Sequence, residues 1–180
     1  MRGVQTTPDY AASQRVLELP HPPPAAAAVL VSALLVSAGV TERERLGTAL
    51  LEVLNSSFGL PPCGLKVADR AQVHSTDGSG RLAQATYGYY RCRIPPSGPP
   101  QRCAIRIYHR TAVKGQVVSA SAFTNTLLHE WVHHFDFTAM RLHRSLHTKG
   151  FFSRLRHLRS ELPGSAAERA PEAPATSPAR

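Results

Sequence analysis

The chain has 180 residues, 42% of them hydrophobic, and this length suits one domain with a single core and short extensions. Twenty-one Lys and Arg against twelve Asp and Glu give a formal net charge of +9, which is compatible with acidic partners. The three cysteines form no C-x-x-C pair, which excludes a zinc ribbon and a disulfide framework. They favour a reducing compartment, so we predict a cytoplasmic protein.

The N-terminal part divides into two segments. Residues 1–24 are polar and turn-rich and are predicted to be disordered. Residues 25–40 are apolar and uncharged, slightly too short for a membrane span, and we expect no stable one. Export or anchoring through this run is the alternative localisation, although the preceding segment lacks a compact basic start. We therefore expect residues 1–40 to be a disordered or apolar extension, or a helix packed on the domain.

A helix is predicted from Thr41, because a threonine cap precedes acids in the first turn. Its apolar residues recur at helical spacing and predict a buried stripe. The members of this stripe are Leu46, Leu50, Val53 and Leu54. Residues 58–62, which include a glycine and two prolines, end the helix.

Short strands follow this helix. Residues 65–68 are predicted to form a strand, and residues 77–80 form a turn. Residues 82–94 and 103–109 are the clearest strands, joined by the proline-rich residues 95–100, and they predict a hairpin with a wide loop.

Cys92 and Cys103 face each other if this hairpin is symmetric about its loop. A cross-strand disulfide and a second metal site both fit that arrangement. We favour two ordinary strand cysteines.

A second helix, over residues 119–142, carries His129, Glu130 and His133 in the pattern H-E-x-x-H. Two histidines four apart lie on one face of a helix, close enough to share a metal ion. The Glu130 carboxylate is placed to reach a water molecule beside that metal. Because the neighbouring residues are apolar, this ionisable trio is costly to bury unless a metal and hydrogen bonds compensate it. The alternative is a buried helix whose histidines bind backbone or carboxylate partners.

A catalytic zinc usually has three protein ligands, so a third must come from elsewhere. A metzincin-type site needs a histidine where the chain has Ala139, and a gluzincin-type site needs a downstream Glu, such as Glu161. His147, fourteen residues after the second histidine of the motif, is the better candidate, because a turn after the helix can return it to the metal. His143 is its nearest competitor and His157 a distant one.

The H-E-x-x-H motif followed by H-T-K-G-F-F at residues 147–152 resembles the SprT-like branch of zinc peptidases. That branch pairs the motif with a later H-G-x-x-F type element that carries the third histidine; here Gly150 follows His147 by three positions instead of one. The resemblance covers residues 119–158.

The resemblance implies an α+β, zincin-like domain over residues 41–162. This domain would contain an N-terminal helix, a short antiparallel sheet with a hairpin, the motif helix and a basic C-terminal helix. The composition of residues 163–180, rich in alanine, proline, serine and glutamate, separately predicts a disordered tail. The resemblance also implies one zinc ion per chain and hydrolysis of protein or peptide substrates. The zinc ligands would be His129, His133 and His147, with Glu130 as general base.

Three further expectations concern the surroundings of the site. Residues 105–109 are the candidate strand edge for holding an extended substrate. His134 and Asp136 point off the metal face, and one of them is expected to orient a ligand histidine. The basic residues between 141 and 159 form a candidate nucleic-acid footprint. The rival functions are therefore a zinc-binding domain without turnover and a basic nucleic-acid-binding module with structural histidines.

Overall fold

A computed structural model describes residues 7–164 of the chain. A mixed three-stranded sheet packs one face against the helices that carry most of the core, and a separate two-stranded hairpin extends from it. The helices are α1 (Pro8–Arg15), α2 (Ala25–Leu35), α3 (Val40–Ser57), α4 (Ala120–Thr138) and α5 (Lys149–Ser160). The strands are β1 (Gly64–Ala71), β2 (Val73–Thr76), β3 (Leu82–Thr86), β4 (Gly88–Arg93) and β5 (Gln101–Arg110). The predicted α+β class is confirmed.

Strand β5 lies at the centre of the larger sheet, in the order β1-β5-β4. The predicted antiparallel hairpin forms only in part, because β4 pairs with β5 whereas residues 82–86 form β3 and pair with β2. Strand β1 runs parallel to β5, so the larger sheet is mixed. Ile105 and Ile107 of β5 are both 1% exposed and point to the helical layer. Cys92 and Cys103 are free thiols on adjacent strands, as favoured from the sequence.

Helix α3 supplies one wall of the core through its leucine stripe, as the spacing predicts. Leu46, Leu50 and Leu54 are all buried. The predicted threonine cap is wrong: the helix already begins at Val40, with Gly39 as N-cap and no side-chain capping bond. It ends as predicted, since Gly59 adopts the left-handed conformation (φ 63°) that terminates helices.

The prediction of disorder for residues 1–24 is wrong for the part that the structure describes. Thr7 caps α1, and this helix packs on α5. Helix α2 confirms the alternative expectation of a helix packed on the domain, since its buried residues face α3 and α4. Short polar segments can order when a neighbouring surface supplies hydrogen bonds, and composition alone does not show that surface.

Two expectations about the chain ends have different outcomes. No helix within residues 7–164 is long and apolar enough to cross a membrane. The predicted disordered tail begins at residue 163, but residues 165–180 lie outside the described part, as do residues 1–6. The domain limits of 41 and 162 stay a prediction.

Candidate metal centre

The structure brings His129, His133 and His147 together. His129 and His133 project from one face of α4, because four residues make about one helical turn. Their Nε2 atoms lie 2.9 Å and 3.1 Å, respectively, from Nε2 of His147. One ligand atom of each histidine lies within 4.8 Å of the others, so the three can hold a metal ion.

His147 reaches the pair because α4 ends at Thr138 and the chain then turns back into α5. Thr148 caps α5 by accepting a hydrogen bond from Phe151 N (3.0 Å), which fixes the residue after His147. His143, the nearest competitor, is exposed in the same loop, and the structure does not bring it to the cluster. His157 lies elsewhere, where its Nδ1 accepts from Leu19 N (3.0 Å).

Phe151 forms an apolar floor beneath all three imidazoles. Its ring centroid lies 4.6–5.0 Å from those of His129, His133 and His147, and its side chain is fully buried. Phe152 also stacks on His147, with ring centroids 5.7 Å apart. These rings hold the imidazoles in place without competing for their nitrogen atoms.

The protonation states of the histidines suit a cation. Burial lowers the pKa of His129 to about 4 and holds that of His133 well below its usual range. Burial also lowers the pKa of His147. The three imidazoles are therefore neutral at pH 7, each with one nitrogen lone pair available.

The distances between the histidine nitrogens also fit a tetrahedral zinc ion. Imidazole nitrogens about 2.0–2.1 Å from a tetrahedral zinc are roughly 3.3 Å apart. The observed Nε2 separations of 2.9 and 3.1 Å differ from this by a few tenths of an ångström, which a small ring movement covers. Three convergent ring nitrogens cannot all satisfy one another by hydrogen bonds, whereas one cation satisfies all three.

A hydrogen-bond chain fixes the tautomer of His133. Ser145 donates its only hydroxyl proton to Asp136 (2.8 Å), so its oxygen accepts from Nδ1–H of His133 (2.7 Å). Nε2 of His133 is then left unprotonated and faces the cluster. Asp136 thus orients a ligand histidine as expected from the sequence, with Ser145 as the intermediary that the sequence did not indicate.

Asp136 is held in turn by Arg154 of α5. Both side chains are fully buried, and Arg154 donates to the two carboxylate oxygens at 2.8 and 3.0 Å. Burial raises the pKa of Asp136, while the Arg154 guanidinium and the Ser145 hydroxyl lower it. This ion pair joins α4 to α5 directly behind the metal face.

Helix α1 completes this arrangement from the outside. Arg154 also donates to the Ser13 carbonyl (3.0 Å), and the Ser13 hydroxyl bonds that of Thr148 (2.7 Å). A Cβ atom at Gly150 would lie 1.8 Å from the Ser13 carbonyl oxygen. Gly150 is therefore required for the close approach of α1, which gives a structural reason for its place three residues after His147.

The other end of α1 binds the loop that carries the third histidine. The Asp9 carboxylate accepts from the backbone N–H groups of His143 and Arg144, at 3.4 and 2.9 Å. Gln14 accepts from the N–H of Gly150 at 3.1 Å. The N-terminal segment, expected to be disordered, instead braces both sides of His147.

Glu130 is nearly buried, at 6% exposure, and faces strand β4. Its burial raises the pKa to about 7, and a hydrogen bond from the Tyr90 backbone lowers it in part. No ion pair to Glu130 occurs within residues 7–164. A carboxyl group with a pKa near 7 can take up and release a proton at neutral pH.

His134, the third histidine of the helix, has a structural role. Its ring nitrogens contact the Tyr90 hydroxyl (3.1 Å) and the Pro61 carbonyl (3.0 Å). Burial lowers its pKa to about 4, so the ring is neutral. It fixes α4 to β4 and to the loop between α3 and β1.

The expected substrate edge at residues 105–109 is wrong, because β5 has β1 on one side and β4 on the other. Within the described residues the unpaired edge next to α4 belongs to β4. Gly88 allows this approach, since a Cβ there would lie 2.9 Å from the Thr126 side chain. Tyr108 and His109 are buried away from the histidines, against Arg70 and Arg43.

Comparison with protein-family models, curated proteins and solved structures found no match for this chain. The resemblance to SprT-like peptidases therefore stays a prediction. The structure itself shows three histidines close enough to bind a metal ion, with a nearly buried glutamate beside one of them in the sequence.

Proposed function

We propose that this protein is a zinc-dependent metallopeptidase of the SprT-like type. The proposal is carried by three neutral imidazoles that converge on one point, two of them from helix α4. The same helix bears Glu130, whose carboxyl pKa is raised to about 7. A structural metal site has no need of a proton acceptor, whereas a hydrolytic site needs one within reach of water.

The donor set supports zinc as the metal. Imidazole is a ligand of zinc, copper, iron and nickel, and three histidines with a fourth position open are typical of catalytic zinc sites. We expect one zinc ion per chain, held by His129, His133 and His147.

The proposed chemistry divides between the metal and Glu130. Bound zinc supplies Lewis acidity, which polarises a scissile carbonyl and makes a water molecule more acidic. Glu130 accepts the proton of the attacking water and delivers it to the leaving amine. Its pKa of about 7 suits both transfers, because neither protonation state is strongly favoured at neutral pH.

The unpaired edge of β4 supports an extended peptide as substrate. Its backbone lies beside α4, and an extended chain can add to such an edge by main-chain hydrogen bonds. Tyr90 on this strand contacts Glu130 through its backbone and His134 through its hydroxyl. This strand replaces residues 105–109 as the proposed substrate edge.

The proposal is tested with Glu130→Gln, which keeps the shape of the side chain but removes the base. We expect the variant to retain one zinc per chain and to lose hydrolysis of a peptide library by roughly 100-fold or more. The matched control is Glu161→Gln at the end of α5, which should leave hydrolysis unchanged. Full activity of the Glu130 variant contradicts the assignment of the base. Zinc binding by a wild-type protein that cleaves no peptide supports the non-catalytic alternative.

A further inference from the structure

The positive charge of the chain is concentrated in two segments. Residues 64–110 contain eight Lys and Arg against two Asp, and residues 141–159 contain six Lys and Arg with no Asp or Glu. The first segment includes every strand but neither α4 nor α5. The second segment, next to the metal centre, includes Arg154, whose charge is neutralised by Asp136.

Strand alternation places much of this charge on one side of the sheet. On β4 and the residue before it, Tyr87, Tyr89, Arg91 and Arg93 alternate with residues that face the helices. The register continues the surface across the sheet, because Arg106 of β5 pairs with Tyr89 on one side and with Lys66 of β1 on the other. We call this solvent-facing surface the outer sheet face.

Three of the four cations of the outer sheet face lack an ion-pair partner among the described residues. Arg91, Arg93 and Arg106 make no ion pair within residues 7–164. Lys66 and Arg106 occupy directly paired positions, where like charges destabilise a sheet. Lys66 alone among them has a carboxylate nearby, from the partly exposed Glu44 at 3.1 Å. The three unpaired arginines are therefore available to an external anion.

Aromatic rings lie beside these cations. Tyr87 is 53% exposed, and Tyr89 is half-buried against Tyr108, with ring centroids 6.5 Å apart. Arg70 covers the other ring of that pair, with its guanidinium 5.3 Å from the Tyr108 centroid. Exposed tyrosines next to arginines are the groups that bind unpaired bases by stacking and phosphates by charge.

We propose that the outer sheet face binds single-stranded nucleic acid. The arginines would contact the phosphates, and Tyr87 and Tyr89 would stack with bases, which a duplex keeps inaccessible. An acidic peptide would use the charge but has no planar bases to stack on the tyrosines. This surface differs from the basic residues 141–159 that the sequence indicated.

The outer sheet face lies on the opposite side of the sheet from α4. The inner residues Ile105 and Ile107 contact the helical core, so the sheet separates the nucleic-acid surface from the three histidines. Binding there is therefore expected without metal and without any change in the Glu130→Gln variant. The inference does not rest on the proposed peptidase activity.

The test uses fluorescence anisotropy of a labelled oligothymidylate of about 20 nucleotides, with the full-length protein at several salt concentrations. Arg91→Gln/Arg93→Gln should weaken binding and reduce the slope of log K against log salt by roughly 0.7 for each phosphate that the variant no longer neutralises. Tyr87→Ala should weaken binding roughly tenfold, because a base no longer has a ring to stack on. The zinc content of each variant, which should be unchanged, checks that the protein is folded.

The matched control is Arg156→Gln/Arg159→Gln on α5, which removes the same charge from the other basic segment. It should bind the oligonucleotide as the wild type does. Equal weakening by the two double variants would overturn the assignment to the outer sheet face. Equal binding of the oligonucleotide, a duplex of the same length and polyglutamate would show general attraction of anions and would overturn the proposal for single strands.

Discussion

Helix α4 carries two buried carboxyl groups, one without an ion-pair partner and one in an ion pair. Glu130 contacts β4 and has no ion-pair partner within residues 7–164, and its pKa is raised to about 7. Asp136, less than two turns further along, is fully buried but has Arg154 and Ser145 as partners. The same helix thus carries one carboxyl group that can exchange a proton and one that is fixed as a structural anion.

The difference lies in the elements that face each carboxylate. Asp136 faces α5 and, beyond it, α1, which together supply a guanidinium, a hydroxyl and backbone carbonyls around the ion pair. Glu130 faces β4, which supplies one backbone hydrogen bond. Burial without a counter-charge is typical of groups that take part in chemistry, whereas complete pairing is typical of groups that position others.

The largest effect is expected from removing the charge of Asp136. Asp136→Asn leaves Arg154 buried without a counter-ion, which should lower the free energy of unfolding by about 3–5 kcal/mol. Urea unfolding followed by circular dichroism measures this change. Asp69→Asn, which breaks the exposed pair with Arg110, is the control and should leave the unfolding midpoint nearly unchanged. A similar small change in both variants would mean that the buried pair does not hold α4 and α5 together.

The unpaired carboxyl group of Glu130 should make the stability of the metal-free protein depend on pH. Its pKa is raised from 4.5 to about 7, so between these values the folded state holds a proton that the unfolded state releases. The stability that this proton contributes is complete below pH 4.5 and lost as the pH rises through 7. It amounts to about 3 kcal/mol.

Comparison with Glu130→Gln isolates this effect, since the neighbouring histidines titrate in both proteins. The stability of the wild type relative to the variant should fall by about 3 kcal/mol between pH 4.5 and 7.5. A relative stability that stays constant over this range would show that Glu130 is solvated in the folded protein.

A smaller effect is expected from Ser145, which transmits the position of Asp136 to His133. Ser145→Ala removes the acceptor of the His133 Nδ1–H group, and zinc affinity should fall roughly 10- to 100-fold with little loss of stability. Competition with a chromophoric chelator measures the affinity. Ser160→Ala, at the far end of α5, should keep wild-type affinity. An unchanged affinity in the Ser145 variant would make the contact to His133 incidental.

The first half of the metal centre could be predicted from local sequence, and the second half only in part. His129 and His133 share a face because of helical periodicity alone. His147 is indicated by its distance along the chain and by the family resemblance, which leave His143 open. The structure separates them through tertiary packing, in which α1 binds the loop from residues more than 130 positions away.

The contacts behind the ligands could not be predicted at all. Arg154 meets Asp136 and Ser13 only because α5 packs on α4 and α1 packs on α5, and a basic helical face gives no sign of which arginine is buried. The strand order is a similar case. Strands of similar hydrophobic pattern predict a hairpin but do not reveal that β1 closes the other edge of β5, which moves the free edge to β4.

Zinc binding by the wild type, His147→Ala and His143→Ala shows whether the three histidines form the metal centre. We expect about one zinc per chain for the wild type and for the His143 variant, and loss of most of the affinity in the His147 variant. Metal analysis after dialysis, together with titration against a competing chelator, gives both quantities. A wild-type protein that takes up no zinc, or a His143 variant that loses zinc while the His147 variant keeps it, would contradict the assignment of His129, His133 and His147 as the zinc ligands.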